Sequence, residues 1–584
     1  MIHRMGRVSV GMLFLTATGL LAQLTPEQKL IDLQTIASLY AKQYAPYEWK
    51  RDNLGFDLFD LRPWVERAKL TKTDLEYLDL VAEYLAKLQD IHSYYIVNSD
   101  FVADLHLYTD IFEGKVLIEQ IDRSYLPVSR FDFAVGDEIV QFDGRPVMDA
   151  VQSIAKITSF ANTRSTLRWA ADKLVYREQY LLPSAVAIGE TATILVRRQD
   201  GSEKSYTIAW DKFGTPLTKL GPLPNFKLGR GAIRAASDDE GPVPQPGEGS
   251  REDGSVPAFK KPWLSLQRHV DRRMTKSVRG YGARDPILYT MPTGFVQRLG
   301  RLRADYFYSG TVTTAGKRVG LIRIGSFEPN AFGLITAPYN QFVQEIGYMK
   351  ANTDVLVVDV TQNPGGFACY GELLQTLLIN KPFVTAGVEI RPNLDLIREW
   401  EFSLLDAQDF GEDWEVAVYS ALLKDIKTAY AENRGRTGTL PLCGPGLDLN
   451  PARDRTGTSL AYDKPILLLT DEFSVSAADM FAAVLQDSGV AKLFGYRTAG
   501  AGGNTVTVGA GFFSEGSASV TQMLTVRPEL QTVPGFPATR YIENVGVKPD
   551  IEYDFQTREN LVRNGAPFVD AFLKAAVLLV PGGN

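Results

Sequence analysis

The stretch Pro465-Ile-Leu-Leu-Leu-Thr470-Asp471-Glu-Phe-Ser-Val-Ser476-Ala-Ala-Asp479-Met-Phe481 decides how the chain is read. An apolar run of strand length comes first, and a serine then stands where a helix begins. A hydroxyl at a strand-to-helix turn is exposed at the sheet edge. The free N–H groups of the first helical turn face whatever oxyanion its attack creates. The same letters also spell a capping box, Ser476 with Asp479, in which the serine only satisfies backbone donors. Taken alone, that is the commoner meaning of a serine at this position.

Three distant segments change the balance. Asp354-Val-Leu-Val-Val-Asp359 reads as a buried strand running into Asn363-Pro364-Gly365-Gly366, a turn whose glycines let backbone N–H groups approach a ligand closely. Leu88-Gln-Asp-Ile-His92 ends a helix and carries one of only four histidines. Tyr541-Ile-Glu543-Asn-Val-Gly546 sets an acidic side chain in an otherwise apolar, strand-like run. Each has a plainer meaning by itself: His92 as a helix C-terminal histidine, Glu543 as a charge facing solvent, Asn363–Gly366 as a simple chain reversal. Their coincidence in one chain carries the argument.

Together with Tyr44-Ala-Pro-Tyr-Glu-Trp-Lys50 and Arg497-Thr-Ala-Gly-Ala-Gly-Gly503, these motifs resemble the serine peptidase family of C-terminal processing (tail-specific) and tricorn-like proteases, in the family's order and over nearly the whole chain. The resemblance implies Ser476 as nucleophile, His92 as general base and Glu543 as the group orienting the histidine. The N–H groups of Ala477 and of Gly365 or Gly366 would hold the oxyanion. The tail-specific branch uses instead a lysine fourteen residues beyond the aspartate of a Gln-Asp pair. Here that pair is Gln486-Asp487 and the count lands on Ala501, which leaves the histidine-based arrangement. Thr361 stands where the family pattern has an arginine.

A neutral imidazole suits this chemistry because its near-neutral pKa lets it take the serine proton and return it to the leaving amine. The order His, Ser, Glu along the chain is no objection, since geometry and role define a triad. The reading is therefore a serine endopeptidase working through an acyl-enzyme on polypeptide substrates, and the resemblance admits its being made as a zymogen. The alternative is a catalytically silent ligand- or peptide-binding protein on the same scaffold.

Composition narrows partners and compartment. A formal net charge of −7 without a sustained basic stripe excludes nucleic acid. Arg4 and Arg7 precede an apolar run from Val8 to Leu21 and the small residue Ala22, the pattern of a secretory signal over residues 1–22. Export to the periplasm or outside the cell is expected, with no membrane span after signal removal. Cys369 and Cys443 are the only cysteines and leave one disulfide open, while scattered His3, His92, His106 and His269 form no metal motif. No metal or other cofactor is expected, and the resemblance admits a homodimer.

The fold class is a multidomain α/β protein, with a crotonase/ClpP-like ββα catalytic core implied by the resemblance. Residues 23–110 read as a helical domain: Thr25-Pro26-Glu27-Gln28 starts one helix, and Leu75, Leu78, Val81, Leu85 and Leu88 make the apolar face of another that delivers His92. Residues 111–212 resemble a PDZ-like domain with a hairpin at Asp143-Gly144, either capturing peptide at a sheet edge or serving only as structure. Residues 213–305 form an insertion whose centre, Ala235 to Pro262, is poor in large apolar residues. The resemblance implies an inhibitory segment within 213–300, and the plainer reading is an inert surface insertion. Residues 306–584 form the catalytic core, closed by a helix from Pro567 to Leu579.

Overall fold

The computed structural model describes residues 23–218, 280–329, 334–410, 413–514 and 516–581. The expected signal segment and most of the expected inhibitory segment lie outside these residues.

The catalytic half is built on a seven-stranded sheet in the order 296–299, 308–314, 317–323, 355–359, 466–470, 491–495, 551–552. The first three strands run antiparallel and the remainder join in parallel. Alternate side chains enter opposite layers. Leu356, Val358 and Leu468 pack with helices Thr336–Asn352, Ala368–Gln375 and Ala477–Asp487. Val355, Val357, Leu467 and Leu469 pack against the final helix, Ala566–Leu578. Burial on both faces explains why these strands read as continuous apolar runs. Each fully buried leucine or valine contributes about 2 kcal/mol from burial alone.

At the N-terminus, α1 (Pro26–Gln43), α2 (Tyr47–Leu54), α3 (Arg62–Leu70) and α4 (Asp74–Ala86) follow one another. Thr25 and Gln28 cap α1 reciprocally, and Thr73 caps α4 by accepting from the Glu76 N–H at 3.1 Å. Leu78, Val81, Leu85 and Leu88 are fully buried, so the apolar face read from the sequence is the face that packs. These helices share their core with Ala518 and Val520 of the catalytic half, and strand Tyr95–Ile96 pairs with Ser517–Ala518. The turn after α4 is thereby tied to the catalytic half.

A six-stranded sheet begins at Leu107–Phe112 and ends at Glu203–Ala209, covered by helices Val147–Ala155 and Thr163–Val175. Asp143 and Gly144 both take positive φ, 48° and 74°, as a two-residue hairpin requires. The strand-like reading of Tyr541–Gly546 is corrected: the strand stops at Tyr541, and Ile542–Gly546 forms a turn with Asn544 at φ 59° and Gly546 at φ 63°. Asn544 favours this reversal because its short polar side chain tolerates the left-handed region. Glu543 consequently points into the protein and is fully buried, not directed to solvent.

Candidate active site

Ser476 sits between strand Ile466–Thr470 and helix Ala477–Asp487 with φ 59° and ψ −116°. Such backbone is disfavoured for any residue with a Cβ and is held only where its surroundings over-determine it. They do so here. The Ser476 N–H donates to both the Ala501 carbonyl and Asp479 Oδ2 at 3.0 Å, and the Val475 N–H donates to the Asn363 carbonyl at 2.9 Å. Ser474 Oγ donates to the Val360 carbonyl at 2.8 Å. From Asp471 to Asp479, Ser476 alone is not fully buried. Asp479 closes its half of the expected capping box on the Ser476 N–H, while Ser476 Oγ makes no cap hydrogen bond and the strained serine remains partly exposed.

The Asn363–Gly366 turn lies directly against this serine. A Cβ added to Gly365 would come within 2.7 Å of the Ser476 Cβ and 2.9 Å of the Ala477 nitrogen, and Gly365 has φ 90°. Only glycine fits there. Its carbonyl accepts from the Phe327 N–H at 2.7 Å, which pins the turn. The Gly365 N–H donates to Asn363 Oδ1 at 2.8 Å. Of the three expected oxyanion donors, this one is thus engaged within its own turn. Ala477, as the first helical residue, has no intrahelical acceptor for its N–H. Beneath the turn, Arg323 from the adjacent strand is buried against the Asp359–Thr361 segment. It donates to Asp359 Oδ2 at 2.8 Å and to the Thr361 carbonyl at 2.9 Å.

Ala501, where a Ser/Lys enzyme would carry its lysine, is buried and accepts from the Ser476 N–H. The loop around it joins the serine to the glutamate. Gly500 and Ala501 N–H groups donate to Asp479 at 3.0 and 3.2 Å, and the Gly500 carbonyl accepts from the Asn544 N–H at 2.7 Å. Burial pushes the Asp479 carboxyl up to about 6, against these donors.

His92 is 8% exposed, and its backbone N–H donates to Asp90 Oδ1 at 2.9 Å. Asp90 Oδ2 accepts from Tyr44 Oη at 3.0 Å and Thr521 Oγ1 at 2.8 Å, so the turn carrying the imidazole is clamped from two sides. Ile91 packs in one buried cluster with Val475 and Ala501, which sets the histidine turn beside the serine turn. Burial lowers the imidazole pKa, opposed by Asp90 and reinforced by Lys50.

Glu543 is bound to a residue the sequence reading passed over. Lys50, from α2, forms an ion pair with Glu543 Oε1 and also donates to Asn544 Oδ1 at 2.7 Å and the Gln89 carbonyl at 3.2 Å. Asn544 Nδ2 closes the arrangement by donating to the Gln89 carbonyl at 2.8 Å. The glutamate and histidine turns are thus stitched together through Lys50 and Asn544. Burial pushes the Glu543 carboxyl up to about 8, against the pull of Lys50. Among the described residues, His92 Nδ1 and Glu543 Oε2 are buried with no hydrogen-bond partner, and no hydrogen bond joins His92 to Ser476. The structure brings the three turns together, with the hydrogen bonds between the three side chains unmade.

The segment before Ser476 is also tied to the six-stranded unit. Arg168 Nη1 lies 2.8 Å from Glu472 Oε1, Arg164 pairs with the same carboxylate, and Arg168 Nη2 donates to Asp110 at 2.6 Å.

Residues 318–553 match the model of peptidase family S41, and residues 107–216 match a PDZ domain. A Chlamydia pneumoniae protein is 26% identical over 616 residues, covering 98% of this chain and 94% of its own. A Chlamydia trachomatis protein is 25% identical over 604 residues, covering 94% and 92%. In fold, the chain is similar to mature CPAF, the chlamydial protease-like activity factor, solved in complex with lactacystin. The TM-score is 0.70 at 21% identity, over 95% of this chain and 99% of that one.

Proposed function

We propose that this chain, a serine peptidase whose residues 318–553 form a family S41 domain beside a PDZ domain, is an exported endopeptidase. It would cut polypeptides through a Ser476, His92 and Glu543 triad. Ser476 Oγ attacks the peptide carbonyl carbon while His92 takes the hydroxyl proton. The C–N bond then breaks, His92 gives that proton to the departing amine, and the acyl group stays on Ser476 as an ester. Water repeats the sequence, losing a proton to His92 as it attacks, and frees the acid. Glu543 balances the imidazolium charge. The Ala477 N–H, with Gly366 from the neighbouring turn, faces the oxyanion, each such donor contributing about 3 kcal/mol to the transition state.

The observation that carries this reading is the strained Ser476 at the mouth of a helix, with a glycine turn packed so closely that a methyl group would collide with it. A silent binding protein has no need of that arrangement, and the alternative is not favoured. The Cys369–Cys443 disulfide supports export to an oxidising compartment. We read the segment within residues 213–300 as inhibitory until cut.

A fluorophosphonate probe is expected to label the wild type and not Ser476→Ala. Incubated side by side and weighed intact, only the wild type is expected to shorten within 213–300. Labelling of Ser476→Ala would sink the nucleophile assignment, and identical unshortened masses would end the zymogen reading.

A further inference from the structure

We propose that Lys50 is a positioning residue of the active site. Its ammonium, fixed by Glu543 Oε1, Asn544 Oδ1 and the Gln89 carbonyl, locks the carboxylate turn onto the histidine turn and leaves Glu543 Oε2 as the oxygen available to the imidazole. The inference rests on the reading of Glu543 as the partner of His92.

The geometry is specific. An ammonium has three protons, and Lys50 Nζ has three acceptors, drawn from the two turns that must stay in register. A lysine so engaged has no lone pair to offer, so it is not the general base of a Ser/Lys dyad. The contacts are sheltered: Lys50 is 1% exposed and Glu543 is fully buried. The helix that brings the lysine is strapped by its neighbours. Glu48 pairs with Arg391 and Arg436, and Trp49 Nε1 donates to Asn544 Oδ1 at 3.2 Å. Three consecutive residues of α2 therefore anchor it to the catalytic half, two of them at the glutamate turn.

Charge gives the same answer. The ionisable groups that act on Glu543 are Tyr44, Asp90 and Asp479 besides Lys50, and Asp90 acts in turn on the His92 imidazole. All but Lys50 and the imidazole are acids. Lys50 is thus the one lysine or arginine among these neighbours, and without it burial and the two other carboxyls make the Glu543 carboxyl hold its proton to a still higher pH. A protonated Glu543 cannot balance an imidazolium.

The test compares Lys50→Met, Lys50→Arg and Glu543→Gln, each checked for folding by thermal melting. For Lys50→Met, kcat is expected to fall by about 100-fold or more with KM within about threefold. The acid limb of its pH profile should move up by about one unit, so that activity partly returns in alkali. Lys50→Arg keeps the charge but not the three-way contact. It is expected to lose about tenfold in kcat with the limb unmoved, and it serves should the methionine variant not fold. A wild-type kcat and unmoved limb in Lys50→Met, or a wild-type kcat at every pH in Lys50→Arg, overturns the inference. If Glu543→Gln is as active as wild type, the triad reading itself fails, which is a separate result.

Discussion

The two halves of this active site are held in different ways. On the nucleophile side, Ser476, Gly365 and Ala501 are fixed by backbone hydrogen bonds and by a contact that tolerates only glycine. On the base side, His92 and Glu543 are fixed by side chains: Tyr44 and Thr521 on Asp90, and Lys50 and Asn544 on the two turns. Backbone ladders set position without charge. Buried ion pairs set position and charge together, and the second half carries one at Glu543; in the first half the charge lies in Asp479, a carboxyl raised to about 6 that holds the Ser476, Gly500 and Ala501 N–H groups. Breaking one partner of a buried pair leaves an uncompensated charge, which costs about 3–5 kcal/mol. The base side therefore holds both the function and the larger liability.

The sharpest way to break this contrast is Glu543→Gln, which keeps the shape and removes the titration. Activity is expected to fall by about 10³–10⁴, as when the orienting carboxylate of a triad becomes an amide. The stability profile should change as well. A buried carboxyl raised from 4.5 to about 8 keeps its proton in the folded state while the unfolded chain has lost it. Stability from this group is therefore full at low pH and falls as pH rises through that window. Asp479 and Asp471 act in the same direction up to about 6 and about 7, and burial raises Asp172 as well, so the share of Glu543 is read as the difference between wild type and Glu543→Gln from pH 7 to 8. Urea melts across that last unit should show a downward slope in wild type and a flattened one in Glu543→Gln. An equal slope in both would remove Glu543 from the titration. For the same reason kcat/KM of the wild type should climb with pH up to about 8, as the carboxylate forms.

Gly365→Ala probes the other half, and its effect should be smaller and independent of pH. The added methyl meets the Ser476 Cβ and the Val475 carbonyl at 2.7 Å, and φ of 90° is strained for alanine. The turn must shift away from the serine. A displacement of this kind loses about 10²-fold in kcat, with about 1–3 kcal/mol of stability lost to strain. The pH profile should keep its wild-type shape. A moved acid limb in this variant would show that the two halves are not separable.

How far each half could be read from the sequence follows from the same difference. The Ile466–Thr470 strand, the cap at Ser476 and the Asn363–Gly366 turn are local patterns, and local patterns survive in a linear string. The apolar face of α4 was legible for the same reason, and it delivered His92. Lys50 and Glu543 are 493 residues apart, and nothing in either neighbourhood announces the other. Lys50 ends the Tyr44–Lys50 motif with nothing beside it to suggest burial, and a lysine ordinarily faces water. Ile542 and Val545 flank Glu543 and give it a strand-like setting. The positive φ of Asn544 and Gly546 turned the chain, and with it the carboxylate, inward. The buried pairing of Arg323 with Asp359 is not legible in the sequence either, since it depends on which strand lies alongside.

The smallest expected effect comes from the disulfide and tests how self-sufficient the nucleophile side is. Cys369 lies in helix Ala368–Gln375, just beyond the glycine turn, and its bridge to Cys443 closes a 74-residue separation that includes two long helices. In the chain-entropy view, a closed loop of that length contributes about 4 kcal/mol or less to stability. The turn itself is held from its other end, by Phe327 accepting from the Phe367 N–H at 3.1 Å and donating to the Gly365 carbonyl. Reduction of the folded enzyme, or Cys369→Ser with Cys443→Ser, should lower the melting temperature while kcat/KM changes less than about threefold. A larger loss of activity at a temperature where the protein stays folded would mean that the Phe327 contacts do not suffice. Part of the rigidity ascribed to the nucleophile's backbone would then belong to a covalent bond outside it.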